Sequence, residues 1–262
     1  EYGLYLPVEP SARLITDAER FAIAHEIVSN HSGEMTTTTS VATVAQNVLK
    51  LADNMGNVLM SQDDIREHAR SMLSDATELP KARKSGPEFS KDLQKILDVQ
   101  KIRVEYLELV EGLQRQQHEL GVVSFGEQMT FAARVASAQP GIGAIQRQRY
   151  RVVMLDEYQD TSHSQRVLLR SLFGGTPHPE LSVTAVGDPM QAIYGWRGAT
   201  TENLNAFIRD FPLENDTPAP QDQLTVSWRN PSRVLELANV VADDIFAGAH
   251  PRPVDRLSAR PG

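Results

Sequence analysis

The sequence predicts an α/β protein in which a large all-helical region precedes a parallel sheet. Three observations carry that expectation. Helical periodicity runs nearly unbroken from Ser11 to about Gln139; after Pro140, short apolar runs alternate with amphipathic segments; and two of those runs, "VVML" at 152–155 and "LSVTAV" at 181–186, lead straight into acid-bearing turns. Strands alternating with helical segments read as βαβ units.

The helical elements come first. "TDAERFAIAHEIV" opens with Thr16 and Glu19 at capping-box spacing, and "SVATVAQNVLKLADNM" sets Val41, Val44, Ala45, Val48, Leu51, Ala52 and Met55 on one stripe, as amphipathic helices of a bundle require. "SQDDIREHARSML" repeats the capping logic with Ser61 and Asp64, and Pro80, Gly86 and Pro87 then break the pattern, which predicts an exposed loop over 79–89. A helix of roughly 30 residues, about 45 Å long by helical rise, follows through "SKDLQKILDVQKIRVEYLELVEGLQRQQHEL" and stops at Gly121. Ser124 and Glu127 open another.

After Pro140, "RVVMLDE" and "LSVTAVGD" read as strands joined by a helix through "SQRVLLRSLF". The interval from Asp156 to Asp188 suits one βαβ crossover, so both acids are expected at the same edge of the sheet. The continuous apolar run at 152–155 is expected to be covered on both faces. A helix through "TENLNAFIRDF", a polar connector "LENDTPAPQDQ", a strand "LTVS" and a helix "PSRVLELANVVADDIF" complete the chain.

Bulk properties exclude several classes. At 262 residues and 40% hydrophobic content the chain can build real cores. The absence of cysteine rules out a disulfide framework and any cysteine-ligated zinc or iron–sulfur site. No apolar run reaches membrane-spanning length and no signal pattern opens the chain, so a cytoplasmic protein with no membrane partner is expected. The net charge of -8 argues against a protein coated with basic residues for nucleic acid. A phosphate loop is missing: in "GVVSFGEQ", Gly121 and Gly126 have the spacing, but Glu127 and Gln128 stand where a lysine and a hydroxyl belong. "GIGAIQ" lacks the third glycine of a dinucleotide fingerprint, and His25 and His31 are six residues apart where a zinc helix needs four.

The residues alone leave two readings of Asp156 and Glu157 open. They are ligand-facing acids at the carboxyl end of a parallel strand, where open α/β sheets bind their ligands, or they are solvated acids ahead of a helix capped by Asp160, Thr161 or Ser162. The second strand runs into "VGDPMQAIYGWRGA" at 186–199, where Tyr194, Trp196 and Arg197 alternate with glycines. Aromatic faces beside a cation in a loop suit the gripping of single-stranded nucleic acid.

In "DEYQDT", "GDPMQAIYGWRGA" and "LTVSWRNPSRVLELAN", in that order, the chain resembles the UvrD/Rep family of superfamily 1 DNA helicases, whose motifs II, III and IV these stretches match; "GVVSFGEQM" is similar to the segment that precedes motif II. The resemblance covers about Val122 to Asn239. It implies a partial RecA-like sheet of the P-loop NTPase type, with a 1B-like helical insert domain at 1–121, the later half of the first RecA-like domain at 122–222, and motif IV with the entry to the second at 223–262. It further implies that Asp156, with Glu157, holds the magnesium of Mg-ATP, that Glu157 polarises the attacking water, and that Gln191 senses the γ-phosphate while Arg229 contacts it. Gln159 and Asp188 belong to the coupling between nucleotide and DNA, and Tyr194, Trp196 and Arg197 touch single-stranded DNA. Trp228 stands where the family commonly has a tyrosine stacked on adenine, and Pro189 and Met190 replace paired acids of some members.

The implied function is an ATP-dependent DNA helicase moving 3'-to-5' on single strands and unwinding duplex DNA. The Walker A loop and motifs V and VI are not in the sequence, so this chain is expected to be a middle segment of a longer helicase and to hydrolyse ATP negligibly alone. Two alternatives stay open: a truncated, non-catalytic DNA-binding or regulatory module, and a metal-dependent hydrolase using Asp156, Glu157, Asp160 and Asp188. The basic stretches "KARK" at 81–84 and "RQRYR" at 147–151 are candidates for phosphate contacts or plain solvated loops.

Overall fold

A computed structural model of the chain describes residues 12–79, 89–175, 180–195, 198–199, 201–214, 217–248 and 254–260. The chain divides into two compact units, Glu1–Ile142 with Ser162–Ser171, and Gly143–Thr161 with Leu172–Gly262.

The first unit is mostly helical. Its helices are α1 (Asp17–Asn30), α2 (Val41–Val58), α3 (Gln62–Glu78), α4 (Lys91–Glu119) and α5 (Phe125–Ala138). Three start where a side chain two or three residues in can reach back: Thr16 with Glu19, Ser61 with Asp64, and Ser124 with Glu127 all form complete capping boxes. Each satisfies two backbone N–H groups that the first helical turn leaves without a partner. Helix α4 ends as Gly121 takes a left-handed φ of 61°, a conformation glycine adopts without a Cβ penalty. The core is built from Ala24 and Val28 of α1, Val44, Ala45, Val48, Leu51 and Met55 of α2, and Tyr106, Leu107, Leu109, Val110 and Leu113 of α4. The α2 stripe thus points inward, with Val41 at its exposed start. Buried Arg20 of α1 reaches Asp53 of α2 at 2.6 Å; burial pushes the Asp53 carboxyl up while the Arg20 guanidinium pulls it down.

Two short parallel strands in this unit are not visible in the helical pattern. Arg13–Leu14 (β1) pairs with Val122–Val123 (β2), so that the start of the unit is tied to the turn after α4. Runs of two residues carry no periodicity to read. A helix over Pro140–Arg149 (α6) also departs from expectation. Its glycines at 141 and 143 each lower helix propensity by about 1 kcal/mol relative to alanine, which obscures it, yet Pro140 suits a first helical position and Arg147 and Arg149 suit the negative end of the helix dipole.

In the second unit, β3 (Val152–Leu155) and β4 (Ser182–Ala185) are parallel and in register from Val152 with Ser182 to Leu155 with Ala185. The chain between them includes α7 (His163–Phe173), giving the expected strand–helix–strand order. The expectation that β3 is covered on both faces does not hold among the described residues: Val152 is 65% and Met154 79% exposed. An apolar run specifies a strand able to be buried twice, but the β3–β4 sheet has two strands here, and cover depends on neighbours that the run itself does not name. Helix α8 (Thr201–Asp210) follows; the strand expected over "LTVS" shortens to β5 (Val226–Ser227), parallel to β6 (Ser258–Ala259), and α9 spans Ser232–Ile245 between them. The expected loop at 79–89 lies almost wholly outside the described residues.

Two outcomes follow for stability. Leu107→Ala or Leu113→Ala removes a fully buried side chain at the centre of the helical core and should cost about 2–5 kcal/mol in urea denaturation; a loss under about 1 kcal/mol would show that the site is not packed as described. The Glu19 carboxyl is lowered from 4.5 to about 2, first by the Thr16 backbone N–H and then by the Arg13 guanidinium. A lowered carboxyl stabilises the fold fully above its unfolded pKa and loses that contribution as pH falls through the folded one. The loss of stability between pH 4.5 and 2 should therefore be shallower in Glu19→Gln than in the parent.

Candidate functional site

Parallel pairing brings the carboxyl ends of β3 and β4 side by side, and the backbone continues the pairing past both strands. Val186 N–H donates to the Leu155 carbonyl at 2.8 Å, and Tyr158 N–H to the Val186 carbonyl at 2.9 Å. After β3 come Asp156 and Glu157, then a short 3-10 turn at Tyr158–Asp160; after β4 come Gly187 and Asp188, then a second 3-10 turn at Pro189–Gln191.

A single buried amide joins the two turns. Gln159, with no exposed surface, donates from Nε2 to Glu157 Oε2 at 2.7 Å and accepts from the Asp188 backbone N–H through Oε1 at 3.0 Å. Gly187 lies close beside it: a Cβ there would stand 2.6 Å from Gln159 Oε1 and 3.2 Å from Gln159 N, so the amide would have to shift. Glu157 itself sits at φ 50°, ψ 41°, a left-handed conformation that costs a non-glycine residue about 1–2 kcal/mol. Its N–H is met by Asp156 Oδ1 at 2.9 Å and its carboxylate by Gln159, so the surroundings hold it there.

The second turn is organised by Asp188. Its Oδ1 accepts from the Met190 N–H at 2.9 Å and its Oδ2 from Gln191 Nε2 at 2.8 Å, which fixes the Gln191 amide beside the strand ends. Asp160 Oδ1 accepts from the Ile193 N–H at 3.3 Å and so ties the first turn to the start of the next loop. In that loop Tyr194 is exposed, Gly198 has φ 80°, and the Gly198 N–H returns to the Gly195 carbonyl at 3.0 Å. Asp156, Glu157, Gln159, Asp188 and Gln191 are therefore one hydrogen-bonded constellation, with Tyr194 on the loop tied to it.

Other residues singled out in the sequence stand elsewhere. Trp228, 74% exposed, and Arg229, also exposed, follow β5 and form no hydrogen bond with the strand-end constellation. Trp196, Arg197, Lys81 and Arg83 lie outside the described residues. In the basic stretch 147–151, Arg147 donates to the Leu172 carbonyl at 2.8 Å, Arg149 lies over the Tyr150 ring and Arg151 pairs with Glu180, so each has a partner within the protein. Glu127, which spoils the phosphate-loop imitation, completes the capping box of α5 by accepting from the Ser124 N–H at 2.8 Å, and also accepts from Gln117 Nε2 at 3.0 Å. The exclusion role of Gly187 was missed in the sequence; the only signal was a glycine directly before the acid that ends the strand.

Asp156 and Glu157 suit a divalent cation by donor chemistry. Both are exposed and each uses one carboxylate oxygen within the protein, and magnesium favours a site of one or two carboxylates completed by water and phosphate oxygens.

The UvrD/REP helicase N-terminal domain family matches residues 15–212. The chain belongs to that family. Among its relatives are the ATP-dependent DNA helicase UvrD1 of Mycobacterium tuberculosis, 39% identical over 133 residues, and DNA helicase II of Escherichia coli, 36% identical over 124 residues. These alignments cover 49% and 47% of this chain and 16% of each relative. The ATP-dependent DNA helicase Rep of Escherichia coli is 37% identical over 93 residues, covering 36% of this chain and 12% of its own length. The chain thus spans a small part of the relatives it matches, and the UvrD/REP match includes both acid-bearing turns.

Gly187→Ala tests the joining amide. The added methyl must displace Gln159 Oε1 and leave the Asp188 N–H without its acceptor, which should cost about 1–3 kcal/mol in chemical denaturation. An unchanged denaturation midpoint would show that Gln159 does not hold the two turns together.

Proposed function

We propose that this chain works within an ATP-dependent DNA helicase of the UvrD/Rep type, one that couples Mg-ATP hydrolysis to 3'-to-5' translocation on single-stranded DNA and to duplex unwinding in repair or recombination. The observation that carries this reading is the buried Gln159 amide, bonded at once to Glu157 after β3 and to Asp188 after β4. A motor must link the group that acts on nucleotide to the loop that acts on DNA, and this amide spans the first part of that distance. Membership of the UvrD/REP family and the names of the relatives support the same reading. On this reading 1–121 is a 1B-like helical insert, 122–222 the later half of a RecA-like domain, and 223–262 the entry to a second, all in a cytoplasmic protein.

The roles are those that the resemblance implies, and the hydrogen bonds after β3 and β4 support the ones given to the acids. Asp156 and Glu157 would hold magnesium, which when bound would neutralise charge on the transferring phosphates. Glu157, held in its strained conformation by Gln159, polarises the attacking water. Gln191, fixed by Asp188, would sense the γ-phosphate, and Arg229 and Trp228 would contribute from the second RecA-like domain as a phosphate contact and an adenine-stacking surface. Tyr194, Trp196 and Arg197 hold single-stranded DNA by stacking and charge. The alignments cover 16% of the first relatives, so the turnover proposed here is that of the whole protein.

In the full-length protein, Glu157→Gln should lower DNA-stimulated ATP turnover by about 10²-fold or more while leaving ATP binding in place. Trp196→Ala should weaken single-stranded DNA binding by about 1–3 kcal/mol in fluorescence anisotropy. ATP turnover that survives Glu157→Gln would overturn the assignment of the acids.

A further inference from the structure

The pair Pro189–Met190, which stands where some members of the family carry two acids, has no part in the roles above. Its backbone is accounted for. Proline sets φ at the first position of the 3-10 turn, and the Met190 N–H donates to Asp188 Oδ1 at 2.9 Å. The Met190 side chain is left over. It is exposed, and the next residue is Gln191, whose amide Asp188 Oδ2 holds at 2.8 Å.

The chain has seven methionines and no cysteine, so all of its sulfur is thioether. Five of the seven are buried or half-buried. The two that are exposed, Met154 and Met190, stand two residues before Asp156 and two after Asp188. Exposed thioethers are the ones that two-electron oxidants reach. The two differ in what holds them. Met154 is the more exposed, but it sits in β3, in register with Thr184 of β4. Met190 lies in a turn of three residues, and the two side-chain bonds that order this turn both end on the Asp188 carboxylate. A strand in a ladder keeps its backbone when a side chain becomes polar; a turn ordered by two bonds to one acid has little in reserve.

We propose that Met190 is an oxidation site through which hydrogen peroxide lowers turnover at the strand-end acids. A sulfur lone pair attacks one peroxide oxygen, the O–O bond breaks, and the departing hydroxide takes the proton left on the transferred oxygen to become water. Sulfur loses two electrons and the peroxide gains them. The product is a sulfoxide: an apolar side chain becomes a polar one with an acceptor oxygen. Placed one residue from Gln191, that oxygen competes with Asp188 Oδ2 for the Gln191 amide and loosens its hold beside the strand ends. Methionine sulfoxide reductases reverse the change. The effect on turnover rests on the helicase reading above, whereas the oxidation itself does not.

The test treats the full-length protein with hydrogen peroxide and reads three things: oxygen gain at each methionine by peptide mass spectrometry, ATP turnover with single-stranded DNA, and Tm. The expected result is one added oxygen at Met190, an unchanged Tm, and a fall in turnover of at least about fivefold, the scale of one lost hydrogen bond. Methionine sulfoxide reductases A and B should restore it. Met190→Leu, which keeps the volume and the N–H, should hold turnover within about twofold of the untreated parent after the same treatment. Met190→Gln, which sets an amide oxygen in place of the sulfur, serves if the leucine variant does not fold; it should be slow before treatment and indifferent to it. Full turnover with Met190 oxidised overturns the proposal, as does a Met190 that stays unoxidised while Met154 gains oxygen. An equal loss in Met190→Leu and the parent overturns it too, and so does a loss that tracks a falling Tm. A parent protein without ATP turnover overturns the helicase reading and the effect on turnover with it, whereas a working parent indifferent to oxidation at Met190 overturns this proposal alone.

Discussion

The strand-end constellation depends on one buried amide. Gln159 has a donor and an acceptor, and each has a single partner: the Glu157 carboxylate on its own turn and the Asp188 N–H on the neighbouring one. Because the side chain is wholly buried, neither bond can be exchanged for water without cost. Three further features meet at that amide. A Cβ at position 187 would stand 2.6 Å from its oxygen; the left-handed Glu157 has its carboxylate bonded to its nitrogen; and Asp188, whose N–H it accepts, orders the second turn and Gln191 through both carboxylate oxygens.

The sheet makes this possible and does little else locally. Parallel register places Leu155 beside Ala185, so the next residues of both strands emerge at the same edge. In the helical unit the same economy appears as capping: Thr16, Ser61 and Ser124 each begin a helix by a reciprocal bond with an acid three residues on. Glu127 shows how such a bond resolves an ambiguity in the sequence. In a glycine-spaced segment similar to a phosphate loop, its carboxylate is committed to the Ser124 N–H and to Gln117.

Much of this is legible in the sequence. Capping boxes are local, so three helix starts could be read from pairs of residues, and α4 could be read from its length and its terminal glycine. The strand–helix–strand order and the meeting of the acids at one edge followed from the 152–155 and 181–186 runs. What sequence could not give depends on neighbours. The exposure of Val152 and Met154 reflects what lies over the sheet, β1 and β2 are too short to show a period, and α6 hides behind two glycines. The role of Gly187 required knowing that Gln159 turns inward, which no spacing rule states. The family, by contrast, was legible from three stretches in order, and the match over 15–212 bears it out.

The central claim is that the two acid-bearing turns act as one site because Gln159 joins them. Gln159→Glu addresses it most directly, since the replacement keeps an oxygen for the Asp188 N–H but sets a carboxylate against Glu157 where an amide donor stood. Steady-state ATP turnover of the full-length variant with single-stranded DNA should fall by about 10²-fold, the scale of a misplaced general base, while nucleotide still binds. Turnover within about twofold of the parent would contradict the account.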